Sequence, residues 1–298
     1  MPAIRRRLTA STLGVHLFFV LFSLSFLIPF ILVISISLTS EERVLGGGYS
    51  LLPIPFDLTA YKVVFQNPSQ IMSAYAVTAF QAALGTFLSV FVMSLCAYPL
   101  SRQSFRWRGP ITFYIFFTML FGGGLIPSYI LITQYLKLGD TVWVYILPTL
   151  ANAFHIIIFR TFFQGLPQAI IESAKMDGAN ELRIYFRMIL PLSKPVLATL
   201  ALLGVLGRWN EWFIALIYIR DQQLYTLQYL LQKILMEAEF IRQMATEAPA
   251  GIDLGAFTVP TETVRFALAI VAAGPLLVVF PFFQKYFARG LTIGSVKG

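Results

Sequence analysis

The chain has 298 residues, of which 57% are hydrophobic and only 12% charged, against about a quarter charged in a soluble domain. It carries a formal net charge of +8 and one cysteine, Cys96. This composition indicates a membrane protein. A single cysteine excludes an intrachain disulfide and a cysteine metal cluster, and Cys96, set inside an apolar run, reads as a buried structural thiol.

A helix needs about 20 apolar residues to cross a bilayer. Six segments qualify, at 15–38, 74–100, 111–131, 143–163, 196–219 and 264–283. The expected fold class is therefore all-α, with six transmembrane helices in a single domain, 1–298. Arg5, Arg6 and Arg7 precede the first segment. Its apolar run is too long for a signal peptide and no A-x-A site follows, so it reads as a retained helix with a cytoplasmic N-terminus.

That orientation can be tested on every loop. With both termini inside, the segments 1–14, 101–110, 164–195 and 284–298, with Arg160 at a span end, hold 14 of the 22 Lys and Arg. The outer side holds seven, and only Arg208 lies deep within a span. Acidic residues go the other way, with Glu172, Asp177 and Glu181 inside and ten outside. The positive charge is thus a topology signal, and no nucleic-acid partner is expected.

Along the chain, Gln81, Asn152 and His155 fall within spans, where polar groups make interhelical hydrogen bonds or line a path. His16 sits near the inner interface. Gly122, Gly123, Gly124 and Pro127 loosen the third span, as a hinge or as a close helix crossing. The outer loops 39–73 and 220–263 are long. The second contains a helix over about 224–247, with Leu227, Leu230, Leu231 and Ile234 on one apolar face. That face has three candidate neighbours: the membrane, another loop or a partner.

The cytoplasmic insert 164–195 is unusual for so oily a chain. Pro167 suits a first helical position, and Gly178 suits the left-handed position beyond a helix end. Asn180 can cap a second helix, in which Leu182, Tyr185, Phe186 and Ile189 form an apolar stripe. Pro191 and Pro195 end that helix before the next span. A surface-lying amphipathic connector would satisfy the periodicity. It does not explain the tight group of Glu172, Ala174, Asp177 and Gly178, where a small residue and a glycine permit close approach by another protein.

The stretch ESAKMDGANELRIYFRMILPL resembles the EAA motif of ABC-importer permeases, E-A-A-x(3)-G-x(9)-I-x-L-P. Glu172, Ala174, Gly178, Leu190 and Pro191 fill it at the right spacing, while Ser173 and Met188 depart from it conservatively. The form Asp177-Gly178-Ala179 looks like the carbohydrate-uptake branch. GGGLIPSYILI, RWNEWFIALIYI, VPTETVRFALAIVAAGPLL and PFFQKYFARGLTIGSVKG extend the likeness to the smaller permease of lipoprotein-dependent oligosaccharide importers. The resemblance implies the type I importer fold. It also implies that Glu172, Ser173, Ala174, Asp177, Gly178, Ala179, Leu190 and Pro191 belong to coupling helices seated on a cytoplasmic ATPase dimer. That dimer would bind the ATP and Mg, since this chain holds no cofactor and has no G-x-x-x-x-G-K-[ST] loop. A second related permease, an extracellular or periplasmic sugar-binding protein that docks on the 220–263 loop, and an oligosaccharide cargo are implied as well. So is a place in the bacterial cytoplasmic (inner) membrane.

GRWNEWF places Arg208, Trp209, Asn210, Glu211 and Trp212 near the middle of the fifth span. Charged groups at that depth face a bundle interior or cavity. Arg208 and Glu211, at i and i+3, can neutralise each other, and aromatic rings beside polar groups suit sugars. Two readings stand, a substrate path and an ion pair sealing the interface with a partner permease. Arg208 and His155 keep an acidic glycan, such as a uronate oligomer, among the candidate cargoes. A secondary transporter or channel acting without an ATPase would show internal repeats and midplane ion-coupling acids. No repeat is evident, and Glu211 is the one intramembrane carboxylate. Neither an H-E-x-x-H pair nor a G-x-S-x-G is present, which disfavours an intramembrane enzyme.

Overall fold

A computed structural model describes residues 10–247 and 261–293. Arg5, Arg6 and Arg7, residues 248–260 of the expected second outer loop and the tail from 294 lie outside them. In lipid the backbone must bond to itself, so oily runs become helices. Among the described residues the regular structure is helical, apart from one isolated bridge between Thr39 and Phe56. In chain order the first helices are α1 (Ala10–Ser37), α2 (Glu41–Gly47), α3 (Thr59–Val64), α4 (Pro68–Ser101) and α5 (Arg108–Leu120). After them come α6 (Leu125–Ile130), continued by a π turn to Tyr135, and α7 (Ala153–Gln164). The insert contributes α8 (Gln168–Met176) and a rod made of α9 (Glu181–Ile184), a π turn (Tyr185–Ile189) and α10 (Leu190–Leu192). The rest are α11 (Lys194–Trp209), α12 (Phe213–Tyr218), α13 (Leu227–Glu247) and α14 (Glu262–Ile293).

The described residues fall into two compact units, one drawn from Met1–Asn67 and Leu231–Gly274, the other from Pro68–Leu230 and Pro275–Gly298. In the first, α1 is apolar on every side and exposed along its length from Val15 to Ile31, as suits a span that meets lipid. Glu41 of α2 caps the start of α14. Its carboxylate accepts from the backbone N–H groups of Thr261, Glu262 and Thr263 and from the Thr263 hydroxyl, at 2.8–3.1 Å. A negative charge thereby satisfies the orphan donors at the positive end of that helix. The helix expected over 224–247 begins at Leu227, with Leu227 and Leu230 in the second unit and the rest in the first; Leu227, Leu230 and Leu231 are buried and Ile234 is half-buried. The start of that apolar face is therefore covered by this chain itself.

In the second unit α4 packs along both α7 and α11. Its core gathers Tyr98 of α4, Phe159 and Phe163 of α7, Ala174 of α8, and Ile184, Tyr185 and Ile189 of the insert rod.

Three expected spans are not continuous helices. The third breaks between Leu120 and Leu125 and bends by 112°. Gly124 there has φ +84°, and Gly122 and Gly124 have no neighbour a Cβ would meet, so the glycines serve the bend and not a close crossing. The fourth is a 3-10 turn at Val142–Tyr145 followed by irregular chain to Asn152, and it is helical only from Ala153. Pro148 lacks the N–H a helix needs there, and Asn152 accepts from the His155 N–H at 3.0 Å to start α7. The fifth stops at Trp209 and resumes at Phe213. The side chain of Asn210 bonds back to Leu206 O, and Glu211 accepts from the Ile214 N–H. Among the described residues α1 and α4 alone are long and apolar enough to cross a bilayer, or five elements are if each bent helix pair counts as one span.

The stripe expected on the insert is also shifted. Tyr185 and Ile189 are buried as expected, but Leu182 is 61% and Phe186 48% exposed, and Ile184 takes their place inside. The cause is the π turn at Tyr185–Ile189, whose i to i+5 spacing aligns Ile184 with Ile189. Tyr185→Ala is expected to cost about 3–5 kcal/mol of stability, as for other large buried aromatics. Leu182→Ala is expected to stay within about 0.5 kcal/mol. Thermal midpoints in detergent test this, and the opposite ranking would restore the α-helical register.

Candidate substrate path and coupling loop

The breaks in the fourth and fifth spans meet around a cavity of about 280 Å³. Its polar wall is Gln81, Thr86 and Ser89 of α4, Tyr145, Thr149 and Asn152 of the irregular stretch, His155, Arg208 and Glu211. Irregular backbone leaves carbonyls without helical partners, which is tolerated at membrane depth only when protein or water satisfies them. Arg208 does this. It donates from Nη1 to Tyr145 O at 2.8 Å and from Nη2 to Thr149 O at 3.2 Å and Ser89 Oγ at 2.7 Å. The planar five-donor fork of arginine suits such divergent acceptors. Gln81, fully buried, in turn donates from Nε2 to Arg208 O.

Arg208 reaches these partners over a gap in α4. A Cβ at Gly85 would lie 2.6 Å from its Nη1 and 2.7 Å from its Cζ, and one at Gly204 would lie 3.1 Å from Thr86 Cγ2. Small residues let α4 and α11 approach, as in other membrane helix pairs.

Of the five residues expected together, only two face this cavity. Arg208 and Glu211 both line it, but no ion pair joins them among the described residues. Arg208 holds carbonyls while Glu211 caps Ile214, so the two charges attract each other at a distance while each makes its own backbone contacts. Trp209 is buried against a separate apolar groove between α4 and α11. Asn210 is exposed at the end of α11 and accepts from Gln228 at 3.2 Å, and Trp212 stands edge-on to Phe213. Gln81, Asn152 and His155, weighed between hydrogen bonding and path lining, are all in the wall. Gly85, Thr86, Ser89, Tyr145 and Thr149 were not singled out by sequence. Gln81, Gly85 and Ser89 recur every fourth residue, a polar and small stripe that could have pointed to Gly85 and Ser89. The carbonyls of Tyr145 and Thr149 gave no such signal.

The insert is built from backbone outward. The Ala179 N–H bonds to Ala174 O at 2.9 Å and the Gly178 N–H to Lys175 O at 3.0 Å, with φ +77° at Gly178. This is a Schellman turn, and its left-handed glycine is disfavoured for any side chain although the space around it is open. Ala174 is buried and Ala179 packs on the same core. Asn180 Oδ1 accepts from the Arg183 N–H at 2.8 Å to begin α9. Glu172, Ser173, Met176 and Asp177 are exposed, so they form the outer face of the bend. Leu190 and Pro191 lie in α10, where the rod turns by 78° into α11.

Glu181 ties both arms of the insert to α4. It accepts from Tyr98 Oη at 2.6 Å and pairs with Lys175 Nζ at 2.6 Å, while Ser94 and Tyr185 share a hydroxyl bond of 2.7 Å. Partial burial pushes the Glu181 carboxyl up, but the bonds from Lys175 and Tyr98 outweigh it and hold the group below its ordinary value of 4.5.

A set of apolar helices broken around a polar cavity, with a charged helix pair anchored to its core, defines a membrane transport permease. Residues 8–293 match the family described as binding-protein-dependent transport system inner membrane component, and the chain belongs to that family. It is 40% identical over 281 residues to the polygalacturonan/rhamnogalacturonan transport system permease protein YtcP of Bacillus subtilis, covering 94% of this chain and 96% of that one. It is 27% identical to the arabinooligosaccharides transport system permease protein AraQ of the same organism, over 96% of both chains. Among solved structures it is similar to a chain of a bacterial ABC transporter involved in the import of the acidic polysaccharide alginate. There the TM-score is 0.76 at 32% identity, over 96% of this chain and all of that chain.

Two outcomes follow from this geometry. Gly85→Ala would drive a methyl group into Arg208, which its bonds prevent from yielding, and is expected to lower stability by about 1–3 kcal/mol. An unchanged thermal midpoint in detergent would mean the guanidinium is free to move. The Glu181 clasp has a defined pH sign. Its folded carboxyl binds a proton less tightly than the unfolded one, so the clasp contributes above the ordinary value and is lost as the pH falls through the folded value. Glu181→Gln is expected to flatten the acid-side fall of the thermal midpoint below about pH 5.

Proposed function

We propose that the chain is one of two related permease subunits of an ATP-driven importer that carries an acidic oligosaccharide or polysaccharide fragment into the cytoplasm by alternating access. The observation that carries this reading is the insert. Its motif residues form a stiff bend whose inner face is part of the bundle core and whose outer face, Glu172, Ser173, Met176 and Asp177, is exposed. A cytoplasmic ATPase dimer, which would hold the ATP and Mg, seats on that outer face. Its closure moves the bend, and the Tyr98–Glu181 and Ser94–Tyr185 bonds pass the motion to α4.

In the full span count, α14 supplies a sixth crossing beside α1, α4 and the three broken spans, with both termini on the positive, cytoplasmic side. The second permease completes the pathway, and a sugar-binding protein delivers cargo to the 220–263 loop. Breaks in the third, fourth and fifth spans give the half-helices room to move around the cavity. Arg208 organises the wall, and Asn152 and His155 present groups suited to hydroxyl and carboxylate oxygens. Acidic cargo is supported by two of the similar proteins, one a polygalacturonan/rhamnogalacturonan permease and one from an alginate importer, since polygalacturonan and alginate are both uronate polymers.

Reconstitution with the partner permease, ATPase and binding protein tests the proposal. ATP-dependent uptake of a uronate oligomer in preference to a neutral glucan of equal length is expected. Preference for the neutral glucan would overturn the cargo, and uptake without ATP would overturn the coupling. Gly178→Trp is expected to remain in the membrane and lose substrate-stimulated ATP hydrolysis. Retained stimulation would remove the bend from the coupling path.

A further inference from the structure

A second polar cleft lies where the loop 101–108 meets the start of the insert. It encloses about 100 Å³ and is lined by Ser101, Arg102, Gln103, Arg108, Gln164 and Gln168, with Phe163 and Leu166 closing its apolar side. Nearly every polar group in that wall can donate a hydrogen bond, and none is acidic.

Arg102 is the informative member. Its guanidinium lies over the Tyr98 ring, 4.8 Å from the centroid, yet its Nε and Nη2 are buried and meet no acceptor in the protein. Buried donors are almost always satisfied, and since these two are closed to water where they stand, a small turn of the side chain toward the cleft would bring them to an acceptor there. Glu181, the carboxylate whose charge acts on Arg102, is already bonded to Lys175 and Tyr98. Burial lowers the Arg102 guanidinium from its ordinary range, and Tyr98 and Glu181 offset this only in part. Arg108 adds a second positive charge on the same cleft, and two guanidinium groups with amide donors match a tetrahedral oxyanion.

The position selects the kind of oxyanion. Ser101 ends α4 and Arg108 begins α5, so the cleft sits where two spans leave the hydrocarbon. Trp107 between them is 59% exposed, and exposed tryptophan marks the headgroup level of a bilayer. Basic clefts at the cytoplasmic ends of membrane helices take anionic headgroups.

We infer that this cleft binds the phosphate of an anionic phospholipid headgroup, held by Arg102 and Arg108. Its assignment to the inner leaflet rests on the orientation proposed above, whereas the phosphate contact does not. A lipid bound there would bridge the α4–α5 loop to the first arm of the insert, next to the Tyr98–Glu181 clasp. The membrane's own charge would then support the coupling loop.

The test uses the full-length chain purified in mild detergent with its assembled partners. Native mass spectrometry is run after adding phosphatidylglycerol, phosphatidylcholine or inorganic phosphate. Retention of phosphatidylglycerol over phosphatidylcholine is expected. Arg108→Gln and Gln168→Leu, both at partly open positions, are each expected to weaken it by about tenfold, as for loss of one charge-assisted bond. Arg102→Gln is expected to do the same with the ATPase still associated. Equal retention of the two lipids, or retention indifferent to all three changes, overturns the site. Saturation by inorganic phosphate without lipid retention overturns the lipid assignment. Loss of ATPase association with unchanged lipid would give the cleft to a protein carboxylate and also overturns it. A Gln103→Cys variant labelled by an impermeant maleimide only from outside, with lipid selectivity intact, would overturn the orientation alone and leave the phosphate site supported.

Discussion

The second unit depends on a constraint set by the bilayer. A backbone carbonyl at membrane depth has no water to bond, so every departure from helix must be answered by another group. Between Tyr145 and Asn152 the chain departs from helix, and Arg208 answers for Tyr145 and Thr149. The arginine is therefore a structural support first. Its charge is spread over main-chain and hydroxyl oxygens, and that arrangement lets the fourth span stay unwound beside a polar cavity. Gly85 and Gly204 follow from it, because a branched or longer residue at either place would close the gap the two helices share.

The same logic explains what could be read from the chain beforehand. Hydropathy located the apolar runs, since burying about 20 oily residues is a strong and local signal. The insert was legible for a different reason. Gly178 and Asn180 act through their own backbone and the adjacent turn, so residue type and position nearly dictate geometry. The motif residues reinforced that reading.

What escaped was non-local. Pro148 falls inside the expected fourth span, yet no residue there says that an arginine some sixty positions later will bond its carbonyls. A direct contact of Arg208 with Glu211 was plausible on a continuous helix, but the helix stops at Trp209 and the two groups bond to separate partners. The π turn at Tyr185–Ile189 likewise has no plain sequence mark, and one extra residue per turn sufficed to replace Leu182 and Phe186 by Ile184 on the inner face. Periodicity arguments fail where the period itself changes.

The turn at Gly178 has a consequence of its own. Its stiffness comes from two main-chain bonds and a left-handed glycine, and its anchorage comes from Ala174, Ala179, Tyr185 and Ile189 on the buried side. The side chains on the outer face take no part in either. The residues that set the shape of the turn are thus different from those it presents outward. If the proposed coupling holds, residues of the outer face can be exchanged to suit a different ATPase while the turn beneath them keeps its shape.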